Sequence, residues 1–270
     1  MTVRWAFLFL LGGCAAAASQ ARLVDVGGYR IWTHLEGKGE PTVVFASGGS
    51  ATSSAWANIT PEVRRHGKVR TLVYDRAGTG KSEPRPGDYR VVDDATELVR
   101  ALDACDVRGP IVLVTHAYGG FVVTLVAASD PRVAGVVLIN ANLSNFFTAA
   151  ETERIAARFA ASFDALEREN PKLARVLIPV LRAYPESAAR VREVTYPPSL
   201  PTIDILADRT WVNSTFEEML AVRLAHRAFV EASPAREAVF AKGAGHNVMR
   251  DRPDVVIDAI VRMVQRVRGR

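Results

Sequence analysis

The sequence predicts an α/β fold: a doubly wound, mostly parallel, eight-stranded sheet with helices on both faces. Three observations carry that prediction. Short strand-like runs alternate with helical patterns along almost the whole chain. The central runs are continuously apolar instead of alternating, as strands buried on both faces are. At 270 residues, 49% hydrophobic and 23% charged, the chain is long enough for one large core and too apolar for disorder.

Taken in order, the strand candidates are 23–26, 30–35, 42–46, 70–74, 111–114, 136–139, 202–206 and 237–241. The first two are expected to form an antiparallel hairpin and the rest a parallel sheet. A helix is expected over 94–103, where Ala95, Leu98, Val99 and Leu102 recur at helical spacing behind Asp93 and Asp94, acids that suit a helix N-terminus. Another follows Pro253, a first-turn proline, with Val255, Val256, Ala259, Ile260, Met263 and Val264 on one face. Between 144 and 199 the pattern is helical with no clear strand. So long a connection must lie over one edge of the sheet, because inside the core its backbone groups would go unpaired, and it reads as a helical lid inserted after strand six. The core is then built from 22–143 and 200–270.

Residues 1–21 are set apart as an export signal. Arg4 precedes an apolar run from Trp5 to Leu11, and small residues lead to Ser19-Gln20-Ala21, a peptidase-like site. The run is too short to span a bilayer. The stretch "LGGC", ending at Cys14, is similar to a bacterial lipobox, so a secreted or periplasmic protein and one lipid-anchored at Cys14 are both open. Cys105 is the only other cysteine, which leaves no internal disulfide after signal removal and no cysteine-rich zinc site. The net charge of +5 is spread over scattered arginines, with no basic stripe interleaved with aromatics, so nucleic acid is not an expected partner. No metal or cofactor is implied; the expected partner is a small molecule.

Four stretches carry the chemistry. They are "VVFASGGSATSSAW" (43–56), "VYDRAGTGKSEP" (73–84), "VTHAYGG" (114–120) and "GAGHNV" (243–248). In this order and spacing they resemble the α/β-hydrolase family, and the resemblance runs from about residue 23 to 264. In that family a strained strand-to-helix turn, G-x-S-x-G, presents the nucleophile. Here Ala117 stands at the nucleophile position and Thr115 at the first glycine. Gly119 and Gly120 supply the small neighbours such a turn needs. The Tyr118 N–H, following the nucleophile position, and the Gly49 N–H, in the loop after the third strand, would form the oxyanion hole; removing one such donor costs about 3 to 4 kcal/mol.

The same resemblance makes His246 the catalytic base and Asp208, after the seventh strand, the acid that fixes its tautomer. Asp204 lies within the strand and suits the role less. Asn140 and Asn142, after the sixth strand, are amides and cannot carry the charge. Ser47, Gly48, His116, Phe146 and Phe147 are expected around the substrate, with the apolar lid favouring a modest acyl or alcohol group. Asp75 and Arg76 read as braces of the fold.

Three functional readings follow. Ala117 is a replacement in an otherwise complete secreted serine hydrolase of esters or amides; this reading accounts for the retained surroundings. Alternatively, the chain is a natural pseudo-hydrolase that binds a small molecule. In the third, a His246–Asp208 dyad works without a covalent intermediate.

Overall fold

A computed structural model describes residues 19–209 and 215–269. It contains eight strands: β1 (Gln20–Asp25), β2 (Arg30–Gly37), β3 (Thr42–Ala46), β4 (Arg70–Tyr74), β5 (Ile111–His116), β6 (Val133–Ile139), β7 (Thr202–Ala207) and β8 (Arg236–Ala241). They form one sheet in the order β1-β2-β4-β3-β5-β6-β7-β8. β2 runs antiparallel to both β1 and β4, and every other pair is parallel. Each expected strand is present; β1 and β6 start three residues earlier than expected, β1 also ends one residue earlier, and the others match or gain one or two residues at an end.

The apolar runs separate into two cores because alternate residues of a strand face opposite sides of the sheet. Val44 and Leu113 point into one core with Leu98, Phe121 and Val122. Val43, Phe45, Val112 and Val114 point into the other with Trp56, Val256, Ile260 and Met263. The helices sort accordingly. α1 (Thr60–Gly67) and, later in the chain, α10 (Pro253–Arg268) cover one face, while α2 (Val91–Ala104) and α3 (Gly119–Ser129) cover the other. Pro253 does stand in the first turn of α10, and the buried side of that helix is Val256, Ala259, Ile260, Met263 and Val264, with Val255 only half-buried.

Four helices connect β6 to β7: α4 (Ala149–Ala160), α5 (Phe163–Glu169), α6 (Pro171–Arg182) and α7 (Tyr184–Arg192). α8 (Phe216–Glu231) precedes β8, and the single turn α9 (Val248–Asp251) leads into α10. The N-terminal boundary differs from expectation. Gln20 pairs with Leu35 and Ala21 with His34, so the last two of the three residues placed at the peptidase site belong to β1. Cys14 and the rest of 1–18 lie outside the described residues.

Candidate active site

The centre of the site is the turn between β5 and α3. Ala117 sits there in the left-handed region, φ 48°, a conformation that costs an L-residue about 1 to 2 kcal/mol and is held here by the surroundings. Its carbonyl accepts from the N–H groups of Gly120 and Asn142, both at 2.9 Å. The two glycines that follow are required sterically. A Cβ on Gly119 would stand 2.3 Å from Thr115 Oγ1 and 3.0 Å from the carbonyl oxygens of Ala46 and Ser47; one on Gly120 would stand 2.5 Å from the Asn142 carbonyl oxygen. Thr115 is buried and donates to the Ala46 carbonyl at 3.2 Å, so its hydroxyl is turned into the packing and does not replace the missing nucleophile.

The loop after β3 closes over this turn. A Cβ on Gly48 would lie 3.5 Å from that of Ala117. Arg76, expected only as a brace, fixes the loop: its Nη2 donates to the Gly48 carbonyl at 2.8 Å and also to that of Gly49. The N–H of a trans peptide points opposite its C=O, so anchoring these two carbonyls on Arg76 turns the Gly49 and Ser50 N–H groups away from it. Gly49, Ser50 and Tyr118 all border the cavity described below. None of their N–H groups has a protein acceptor among the described residues. Burial works against the Arg76 charge, but Asp94 at 3.0 Å and the neighbouring tyrosines outweigh it and hold the guanidinium protonated. Tyr89 Oη donates to Asp94 at 2.5 Å and lies 2.8 Å from Tyr118 Oη, which in turn reaches Ser187 Oγ of α7 at 3.1 Å. Burial pushes the Tyr118 phenol up to about 12, so it stays neutral.

His246 faces Ala117 from the loop after β8, but its partner is not the one expected. Asn140 Nδ2 lies 2.7 Å from His246 Nδ1. Asn140 follows β6 directly, is buried, and is itself left-handed at φ 44°, a conformation asparagine tolerates well. Asp208, expected to orient His246, stands elsewhere. Its Oδ2 accepts from the Gly243 N–H at 3.1 Å, and Arg223 reaches its backbone carbonyl at 2.7 Å. The physical reason is local: β7 ends at Ala207, so the short Asp208 side chain meets the glycine turn three residues before His246 and shapes that turn, leaving the ring nitrogen to the β6 exit.

The two histidines of the site are both tuned toward neutrality by burial. His116 Nε2 donates to the His246 carbonyl at 2.9 Å, which fixes its tautomer and pins the His246 loop to the elbow. Burial, with the neighbouring His246 adding to it, pushes the His116 imidazole down to about 3. The rings lie 4.6 Å apart. Burial also lowers the His246 value below the ordinary histidine range.

A cavity of about 500 Å³ opens onto Ala117, Tyr118, Gly49 and His246. Its far wall comes from the β6–β7 insertion: Ile155 and Phe159 of α4, Leu166 of α5, Leu177, Val180 and Leu181 of α6, and Tyr184 of α7. Of the side chains expected around the substrate only Phe147 lines it. Ser47 is buried between the Trp56 indole N–H, at 2.9 Å, and the Thr52 carbonyl, at 3.0 Å; Gly48 and His116 stand behind the surface; Phe146 packs edge-on against Phe147. Each is drawn off the pocket by a stronger claim elsewhere in the fold.

This architecture has counterparts among known proteins. A family model described as "Alpha/beta hydrolase family" matches residues 43–259. The chain belongs to that family. An uncharacterised Bacillus subtilis protein, YqjL, is 25% identical over 242 residues, covering 84% of this chain and 85% of that protein. A haloalkane dehalogenase from Mesorhizobium japonicum is 36% identical over 104 residues, 38% of this chain and 33% of the dehalogenase. A hydrolase from Pseudomonas aeruginosa PA01 superposes with a TM-score of 0.64 at 22% identity, covering 90% of this chain and 98% of the other, a likeness of fold.

Within this α/β-hydrolase, then, the elbow, the fixed donors and the histidine are assembled around one pocket, and two groups are lacking: a hydroxyl at 117 and a carboxylate against His246 Nδ1. The Asn140 amide carries no charge, so it cannot stabilise the imidazolium that forms when His246 takes a proton from a nucleophile or a water, as a triad carboxylate does. Among the described residues no cluster of His, Cys, Asp and Glu is placed to hold a metal. The sequence offers Asn140 only as an uncharged residue unsuited to the acid's role; its contact with His246 spans 106 positions, which local patterns do not register.

Proposed function

We propose that this α/β-hydrolase-fold protein binds a small, partly apolar molecule in the cavity over Ala117 without hydrolysing it. The observation that carries the reading is the Asn140 amide on His246 Nδ1. A single replacement of the nucleophile would leave an intact histidine–carboxylate pair. Here the acid position is an amide as well, and replacing a triad carboxylate by its amide lowers catalysis by about 10⁴. The dyad reading meets the same objection, since it needs His246 as a base and Asp208 as its partner. The binding parts, by contrast, are kept: backbone donors anchored by Arg76 and a deep pocket with an aliphatic and aromatic wall.

The test is one sample with two readouts, calorimetric titration of the native chain with methyl octanoate and chromatographic assay of the same mixture for octanoate. Saturable heat with octanoate formed no faster than in buffer is the expected result. Catalysed release of octanoate contradicts the reading, and so does the absence of both binding and turnover by folded protein.

A further inference from the structure

A second cavity, of about 170 Å³, lies across the loop after β3 from the first and shares Gly49 and Val180 with its wall. Three arginines from separate parts of the chain border it: Arg76 at the exit of β4, Arg85 in the loop that follows, and Arg175 of α6. Small residues, Ala77, Gly78 and Gly87, keep the space beside them open. The Arg76 and Arg85 side chains are only 4% and 10% exposed. Arg175 is exposed and makes no ion pair among the described residues. Asp94 supplies a carboxylate to this wall, and both its oxygens are engaged. Its Oδ2 accepts from Arg76 Nη1 at 3.0 Å and from Tyr89 Oη at 2.5 Å, and its Oδ1 accepts from Arg85 Nη2 at 2.5 Å.

The charges around this cavity do not balance. Behind Arg85, Glu97 accepts from its Nε at 2.6 Å, while Asp93, 3.9 Å from Arg85, is matched by Arg90 at 2.8 Å. Three guanidinium groups are thus set against two carboxylates, Asp94 and Glu97, and burial works against the Glu97 charge. Low-dielectric walls focus the excess positive potential on the cavity. A guanidinium offers five donors and no acceptor, so the groups that carry the excess call for an anion that accepts. A planar carboxylate pairs with one or two such forks, whereas a tetrahedral oxyanion presents oxygens in several directions and suits arginines contributed by three separate elements. We infer that this cavity binds a single phosphate group, as the free ion or as a monoester, on Arg76, Arg85 and Arg175. The site is distinct from the first cavity and does not depend on the binding reading proposed for it.

The test is calorimetric titration of the full chain with inorganic phosphate, glycerol 1-phosphate and acetate, at neutral pH and constant ionic strength. It is repeated with Arg175→Ala and with Arg182→Ala, each checked for retained folding. Arg182 is another exposed arginine of α6 that does not border this cavity, so its removal reports surface charge alone. One phosphate group per chain should bind, about tenfold or more tightly than acetate. Arg175→Ala should weaken it by about tenfold, and Arg182→Ala by less than about threefold. Tighter binding of inorganic phosphate assigns the site to the free ion, and tighter binding of the glycerol ester assigns it to a monoester; both uphold the inference. Absence of saturable phosphate binding by folded protein overturns it. So does acetate binding as tightly as phosphate, or equal weakening by the two substitutions.

Discussion

Ala117 keeps the strained backbone of a nucleophile elbow without carrying a nucleophile, and the strain is therefore measurable apart from any chemistry. Its φ of 48° is left-handed, where a Cβ is penalised and glycine is not. Ala117→Gly should raise stability by about 0.5 to 1 kcal/mol in denaturant titration, the relief of strain exceeding the entropy added to the unfolded chain. A loss of stability would mean that the surroundings do not force this conformation. His116 makes a second prediction at this scale. Its folded value of about 3 lies below that of an unfolded histidine near 6.5. The contribution of the neutral ring is then fully present above about 6.5 and is lost as pH falls toward 3, on the order of 4 kcal/mol in all. His116→Gln, which retains an N–H for the His246 carbonyl, should flatten the dependence of unfolding free energy on pH across that window. An unchanged slope contradicts the assignment.

At the scale of elements, the elbow and the loop after β3 behave as one unit, because Arg76 reaches both loop carbonyls from the exit of β4 while Tyr118 anchors the turn beside it. Arg76→Ala leaves the Gly48 and Gly49 carbonyls unpaired and removes one of the partners of Asp94, which keeps Arg85 and Tyr89, so it should cost about 1 to 3 kcal/mol. Gly119→Ala should be destabilising by about 1 to 3 kcal/mol, since its Cβ meets two backbone oxygens that cannot step aside. Thermal and chemical unfolding of each variant checks both. The elements themselves were legible in the sequence because local physics sets them. Apolar runs such as 111–114 and 42–46 mark strands buried on both faces, and Pro253 marks the first turn of α10. Their ends were less so. β5 continues through Thr115 and His116, polar residues that read as turn but are completed by pairing with Leu138 and Ile139 of β6. β1 starts inside the stretch taken for a cleavage site because Ala21 finds a partner in His34.

At the scale of the whole molecule, the elbow, the oxyanion loop and His246 could be placed from sequence because each is a local motif. The partner of His246 could not, since it depends on which of two strand exits comes nearest the ring. Reasoning from the need for a charge selected Asp208; the fold instead brings the uncharged Asn140 to the nitrogen and leaves Asp208 on the Gly243 turn. The pocket residues escaped for a similar reason. Leu177, Val180 and Tyr184 come from helices whose amphipathic patterns announce burial without saying against what. Ester hydrolysis in a set of four proteins addresses the central claim most directly: the native chain, Ala117→Ser, Asn140→Asp, and the double variant. The account predicts no catalysis by the native chain, little gain from the serine alone, and a rise of about 10² or more over Ala117→Ser when the carboxylate is added at 140. Full turnover by Ala117→Ser, with no further gain from Asn140→Asp, would contradict it and show that only one group had been missing.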